Sequence, residues 1–177
     1  RRPDRAVIAY TNLIKKYFKS TKPIVLGGIE SSLRRIAHYD FWSNKIRRSI
    51  LFDAKADLLI YGMAEKTILK VAEAYRCQKE TDIYDIPGLC YIAKSPIYTY
   101  HRLPDYEEVK KSKKAFTEAF HIFYQNNDPL NARGLVQKQD SRYLIQNPPS
   151  LHLSQDELDK VYELEYQNEL HPFYQKA

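Results

Sequence analysis

Residues 23–28 read Pro23-Ile24-Val25-Leu26-Gly27-Gly28, a short apolar run that ends in two glycines. This pattern predicts a buried β-strand followed by a tight turn. It returns at residues 58–62, where Leu58-Leu59-Ile60-Tyr61 precedes Gly62, and a third apolar run spans 89–93. Apolar residues spaced three and four apart predict helices between these strands, over about 4–19, 44–54 and 64–76. This alternation predicts an α/β fold, a partial Rossmann-like parallel sheet covered by helices.

The pattern changes after residue 95. Asp105 and Glu108 have the spacing of a capping box, which predicts a helix that runs to about residue 125. Two short segments, 135–139 and 142–146, are joined by Asp140-Ser141 and predict a β-hairpin. A second capping box, which begins at Ser154, predicts a helix over about 155–164. Ser43 is expected to cap the earlier helix over about 44–54.

We therefore expect two domains, a partial Rossmann-like domain over 1–95 and an α+β extension over 96–177. Residues 169–177 show no periodicity and are expected to form a connector. Three strands are few for a Rossmann-like sheet, and the chain does not begin with methionine, so we expect it to be a piece of a longer protein. Half a sheet would expose an apolar edge and favour self-association.

Composition narrows the class of protein. The 177 residues are 44% hydrophobic and 28% charged, which is typical of a globular chain and excludes a disordered one. Cys77 and Cys90 form no metal-ligand or disulfide pattern, and no signal peptide or membrane-spanning run is visible, so a reduced, cytoplasmic setting without a membrane partner is expected. No nucleotide-binding, hydrolase or metalloprotease motif is present, so we assign no catalytic or metal-binding residue.

Glycines follow two of the predicted strands. Gly27-Gly28 and Gly62 fall where parallel α/β sheets bind ligands, at the carboxyl ends of strands. Glu65 opens the next predicted helix, where a carboxylate also suits the helix dipole. Glycine lets a phosphate or a cofactor approach the backbone closely, but a tight turn alone explains the same residues.

Basic and aromatic residues alternate in segment 31–55. Arginine pairs there can hold a carboxylate or phosphate through two hydrogen bonds, and the aromatic rings could stack on a base. Internal salt bridges are the alternative role for these arginines, and the run 110–114 is interpreted as a solvated lysine face. The ligand-binding candidates are Gly27, Gly28, Glu30, Arg34, Arg35, His38, Tyr39, Asp40, Arg47, Arg48, Gly62 and Glu65.

The block Pro-Ile-Val-Leu-Gly-Gly-Ile-Glu-Ser-Ser-Leu-Arg-Arg-Ile-Ala-His-Tyr-Asp-Phe-Trp over 23–42 resembles the N-terminal region of the YgiQ family of radical SAM proteins. The resemblance continues at Arg47-Arg48-Ser-Ile-Leu, at Ala56 to Gly62, at Gln146-Asn147-Pro148-Pro149 and at His171-Pro172-x-Tyr174. It therefore covers nearly the whole chain. At 164–166 the family often reads Leu-Pro-Tyr, whereas this chain has Leu-Glu-Tyr.

The resemblance implies an accessory domain beside a radical SAM barrel of the same polypeptide. That barrel would hold a [4Fe–4S] cluster and S-adenosylmethionine through a cysteine motif beyond residue 177, so this chain itself is expected to bind neither. Several segments also resemble cobalamin-binding domains, but their Asp-x-His-x-x-Gly loop is absent, which leaves cobalamin doubtful. The alternative function is a module that holds nucleic acid or protein through segment 31–55, with nucleic acid not favoured. The substrate is unknown.

Overall fold

The computed structural model describes residues 3–174. In chain order its elements are α1 (Ala6–Tyr17), β1 (Val25–Leu26), α2 (Gly28–Leu33), β2 (His38–Asp40), β3 (Lys45–Arg47), α3 (Ile50–Ala54), β4 (Leu58–Ile60), α4 (Glu65–Arg76), β5 (Leu89–Ala93), β6 (His101–Arg102), α5 (Tyr106–Lys111), α6 (Lys113–Gln125), β7 (Leu135–Gln139), β8 (Arg142–Gln146) and α7 (Gln155–Tyr162). Short 3-10 helices lie at Glu80–Asp85 and Pro172–Tyr174. Part of the expected connector, residues 175–177, lies outside the described residues.

Six strands form one mixed sheet in the order β1-β4-β5-β8-β7-β6. β1 and β4 are parallel, as are β6 and β7, whereas β5 pairs antiparallel with both β4 and β8. The α/β class is confirmed. The direction expected for β5 is wrong, because the chain after α4 returns to the end of β4, where Tyr61 N donates to Gly88 O at 3.0 Å.

The hairpin β7–β8 completes the sheet instead of forming a separate layer. Its β8 strand pairs with β5 from Cys90–Gln146 to Ala93–Tyr143, so the sheet includes residues on both sides of position 95. The sheet expected from three strands over 1–95 is therefore larger, with six strands among residues 3–174, and β1 and β6 are its edge strands. Backbone groups of β5 that would otherwise be open are hydrogen-bonded to β8.

The region 38–54 differs from the single helix expected from residue 44. Ser43 caps no helix: its backbone N and its Oγ both donate to Asp40 Oδ2, at 3.1 and 2.5 Å, and this closes the β2–β3 hairpin. The helix begins only at Ile50, with Ser49 as its cap. The long helix expected to residue 125 is also divided, because Ser112 adopts an extended backbone and its hydroxyl caps α6.

Each face of the sheet packs on its own apolar core. Along β4, Leu59 joins the core beneath α1 and α3, while Leu58 and Ile60 join the core beneath α4. The alternation follows from the two-residue period of a strand, and burial of all three explains their continuous apolar sequence. Among residues 3–174, no helix is long and apolar enough to cross a membrane.

Candidate functional site

Three strands end at the same edge of the sheet. Since β5 is antiparallel to β4 and β8 is antiparallel to β5, the strands β1, β4 and β8 run in one direction. Their carboxyl ends bring Gly27, Gly62 and Asn147 to one side, which we call the glycine edge. Ligands of open α/β sheets bind at such an edge.

The glycines of this edge face open space. A Cβ atom added at Gly27, Gly28 or Gly62 would meet no atom within 4 Å. Gly28 and Gly62 have φ of +81° and +70°, so a turn conformation that favours glycine explains both. Gly27 has an extended backbone that any residue adopts, so neither conformation nor packing requires glycine there.

Arg35 reaches the glycine edge through Tyr61, which follows β4, and Gln146, the last residue of β8. Only 7% of the residue is exposed, and its guanidinium lies 4.3 Å from the ring centroids of both Tyr61 and Phe123. Burial lowers the pKa of this guanidinium, because removing a charge from water disfavours the charged form. Among residues 3–174, no carboxylate lies within 4.0 Å of it to form a salt bridge.

Neutral oxygens accept the hydrogen bonds of Arg35. Its Nε donates to Gln146 Oε1 at 3.0 Å, and its two terminal nitrogens donate to Ser32 O at 2.5 Å and Asn127 Oδ1 at 2.9 Å. A guanidinium has five N–H groups, so two remain for a further acceptor. The positive charge of Arg35 is thus buried among two aromatic rings and three neutral oxygen acceptors.

Other polar groups near this edge have no hydrogen-bond partner within the described part of the chain. They are the hydroxyl of Ser31, the amide nitrogen of Gln146 and Oε2 of Glu65. Ser31 and Gln146 are both fully buried. Two of these three groups are donors, and a buried donor without an acceptor costs free energy.

Residues Tyr61 and Asn147 hold the edge together. The Tyr61 hydroxyl donates to Asn147 O at 2.5 Å, and the Asn147 amide donates to Tyr84 O and Ile86 O at 2.7 and 2.8 Å. Burial raises the pKa of Tyr61 well above its usual range. The hydroxyl therefore stays protonated and positions the strand ends.

Three of the candidate residues, Glu30, Arg34 and Asp40, instead form a polar cluster beside the β2–β3 hairpin. Asp40 is fully buried and accepts from Arg5 at 2.5 Å, while Arg34 lies 3.9 Å from its other oxygen and 3.2 Å from Glu30. Burial alone would raise the pKa of Asp40, but hydrogen bonds from Ser43 and Arg5 hold it well below its usual range. Arg34 is thus paired with two carboxylates, although Oδ1 of Asp40 accepts no hydrogen bond within the described residues.

The remaining candidates lie further along the hairpin. Arg47 donates to Asp53 Oδ2 through two nitrogens at 2.9 and 2.6 Å, and Arg48 pairs with both Asp53 and Asp140. Burial lowers the pKa of His38, whose Nδ1 lies 3.1 Å from Ile36 O. Half-exposed Tyr39 donates to Asn44 Oδ1 at 2.8 Å.

The cysteines do not fit an iron–sulfur cluster. Burial raises the pKa of the Cys90 thiol to about 12, and Cys77 is exposed at the end of α4. Cluster ligation requires several thiolates converging on one point. Within residues 3–174, no group of three or more His, Cys, Asp or Glu side chains is placed to hold a metal ion.

Comparison with known proteins identifies the family. The sequence model described as "Radical SAM N-terminal" matches residues 1–177. The chain belongs to the radical SAM N-terminal family. It is similar to UPF0313 proteins of Fusobacterium nucleatum (52% identity over 99% of the chain), Clostridium botulinum (50% over 98%) and Clostridium perfringens (49% over 99%). No solved structure shows a significant match.

This radical SAM N-terminal chain spans 31%, 28% and 27% of the length of those three relatives. The resemblance to the YgiQ type of radical SAM protein is thereby confirmed. The domain is part of a larger radical SAM polypeptide in this family, which implies a [4Fe–4S] cluster and S-adenosylmethionine in the parent protein.

Proposed function

We propose that the domain is an accessory domain of a radical SAM protein and that its glycine edge contributes to substrate or cofactor binding beside the catalytic barrel. The observation that carries this proposal is Arg35, a buried cation without a carboxylate partner at the edge where three glycines face open space. Such a charge attracts an anion strongly, because the surrounding dielectric is low.

The chemistry offered by this chain is binding and orientation. Arg35 has two N–H groups left for an acceptor, and the Ser31 hydroxyl and the Gln146 amide are further buried donors. Together they suit a carboxylate or phosphate, either of a substrate or of the neighbouring barrel. The radical chemistry itself would be supplied in the parent protein by the [4Fe–4S] cluster and S-adenosylmethionine when they are bound.

Gly27→Asn in the intact polypeptide tests this proposal. Asparagine adds a side chain where no atom lies within 4 Å, and it is a preferred helix N-cap, so the fold is expected to keep its melting temperature. If the edge contacts the barrel or its ligand, the added side chain obstructs that contact. Amide hydrogen exchange of residues 27–35 then accelerates, whereas better capping alone would slow it.

The matched control is Ser95→Asn, because Ser95 is exposed just after β5, at the opposite edge of the sheet. Reductive cleavage of S-adenosylmethionine, measured after anaerobic cluster reconstitution, is expected to fall only in Gly27→Asn. Unchanged exchange in residues 27–35 together with unchanged cleavage would refute a role for the glycine edge.

A further inference from the structure

A second surface, separate from the glycine edge, is a basic groove of about 1180 Å³. The groove lies between the β2–β3 hairpin and the α5–α6 pair. Its lining includes Asp140, which precedes β8, whereas the glycine edge follows the end of β8, so the two surfaces lie at opposite ends of this strand. Six basic and three acidic side chains line it, a net charge of +3: Lys45, Arg47, Arg48, Lys110, Lys111, Lys113, and Asp53, Glu107, Asp140.

Two of the three acidic residues of the groove are neutralised within the protein. Asp53 pairs with Arg47 and Arg48, and Asp140 also pairs with Arg48. In contrast, four exposed lysines have no carboxylate within 4.0 Å among residues 3–174, namely Lys45, Lys110, Lys111 and Lys113. The unpaired charge of the groove is therefore positive and available to a polyanion.

The fold holds the lysines close to one another. Ser112 divides α5 from α6 and caps the second helix, so Lys111 and Lys113 flank one bend and Lys110 precedes it. Like charges at this spacing repel in the free protein. Binding a chain of phosphates removes that repulsion and releases counterions, which favours association at low salt.

Aromatic rings accompany these charges. Tyr39 and Tyr106 line the groove, and Lys110 Nζ lies 5.7 Å from the Tyr106 ring centroid. At the hairpin tip, Phe41 and Trp42 are 79% and 64% exposed, with ring centroids 6.4 Å apart. An acidic peptide uses only the cations, whereas a single-stranded nucleic acid also uses exposed rings, on which its bases stack.

We propose that this groove binds single-stranded nucleic acid, with phosphates on the lysines of the α5–α6 bend and bases on the aromatic hairpin tip. Hydrogen bonds hold the hairpin tip in one conformation, because buried Asp40 accepts two from Ser43 and one from Arg5. The proposal goes beyond the accessory role argued above and uses none of the residues of the glycine edge.

The test measures fluorescence anisotropy of labelled oligouridylate and oligothymidylate, about 20 nucleotides long, with the intact polypeptide across a salt series. The variant K110Q/K111Q/K113Q is expected to bind at least about tenfold more weakly at low salt, and its log–log salt slope is expected to decrease by about 2. The control K70Q/K79Q/K94Q removes the same charge from exposed lysines outside the groove and is expected to bind as the wild type does.

A second variant, F41A/W42A, separates nucleic acid from an acidic peptide. Loss of stacking is expected to weaken binding about tenfold while the salt slope stays unchanged. Three results would each overturn the proposal: no anisotropy change at low salt, equal weakening in the control, or full affinity in F41A/W42A together with equally tight binding of polyglutamate. Hydrogen exchange at the glycine edge is independent of these outcomes, so the two proposals fail separately.

Discussion

Replacement of Arg35 by alanine tests the structural basis of the glycine edge. The change removes stacking on two aromatic rings, each contact contributing about 1 kcal/mol, and leaves the buried Gln146 Oε1 without its donor, at a cost of about 1–3 kcal/mol. The bonds to Ser32 and Asn127 are only part-buried, so water can replace them. We expect a loss of about 3 kcal/mol in the free energy of unfolding.

Thermal unfolding followed by circular dichroism measures this loss. For a protein of this size each kcal/mol shifts the melting temperature by about 2–4 °C, so Arg35→Ala is expected to melt roughly 6–12 °C lower. Arg76→Ala is the control, because Arg76 is exposed and pairs only with Glu73 one turn away, and no measurable change is expected. A decrease of less than about 2 °C for Arg35→Ala would refute the reasoning, since the contacts would then only balance the cost of burying the charge.

Three further predictions concern other sites. The hydrogen bonds that hold the pKa of Asp40 low stabilise the fold above about pH 4, so the stability is expected to decrease as the pH falls below that value. Fluorescence of the single tryptophan, two residues away, measures this unfolding. Gly134→Ala is expected to destabilise the protein by about 1–3 kcal/mol in urea unfolding, because the new Cβ would lie 2.2 Å from the Tyr100 ring. At neutral pH a maleimide is expected to label exposed Cys77 in the folded protein. Cys90 is fully buried with a pKa of about 12, so mass spectrometry is expected to detect its label only after unfolding.

Local sequence patterns predicted most elements but not how they pair. The two glycine-terminated strands, helix α4, the β7–β8 hairpin and the capping box at Ser154 all follow from short-range signals. The direction of β5 depends on where the chain returns after α4, and its pairing with β8 joins residues that are fifty or more positions apart. No period in the sequence encodes either, so a parallel half sheet was the natural expectation.

The same limit explains what was missed at the site. Gly27 and Gly62 were predicted from their place after strands and Arg35 from the basic segment 31–55, and the structure brings all three to one edge. Gln146 and Asn147 were not predicted as site residues, because their position depends on β8 lying in the direction of β4. The sequence signal that could have indicated them is the Gln-Asn-Pro-Pro segment, in which two polar residues directly precede the two prolines that end the strand.

The four arginines of segment 31–55 differ in whether a carboxylate neutralises their charge. Arg34, Arg47 and Arg48 pair with carboxylates, so an incoming anion would have to compete with an existing partner. Arg35 is more deeply buried than these, yet only rings and neutral oxygens surround it, so its charge is not cancelled. At an effective dielectric of about 20, an anion 4 Å away gains about 4 kcal/mol from such a charge, against about 1 kcal/mol in water. Of the four, Arg35 is therefore the one whose charge is left for an anion, although its ring contacts and hydrogen bonds also stabilise the domain.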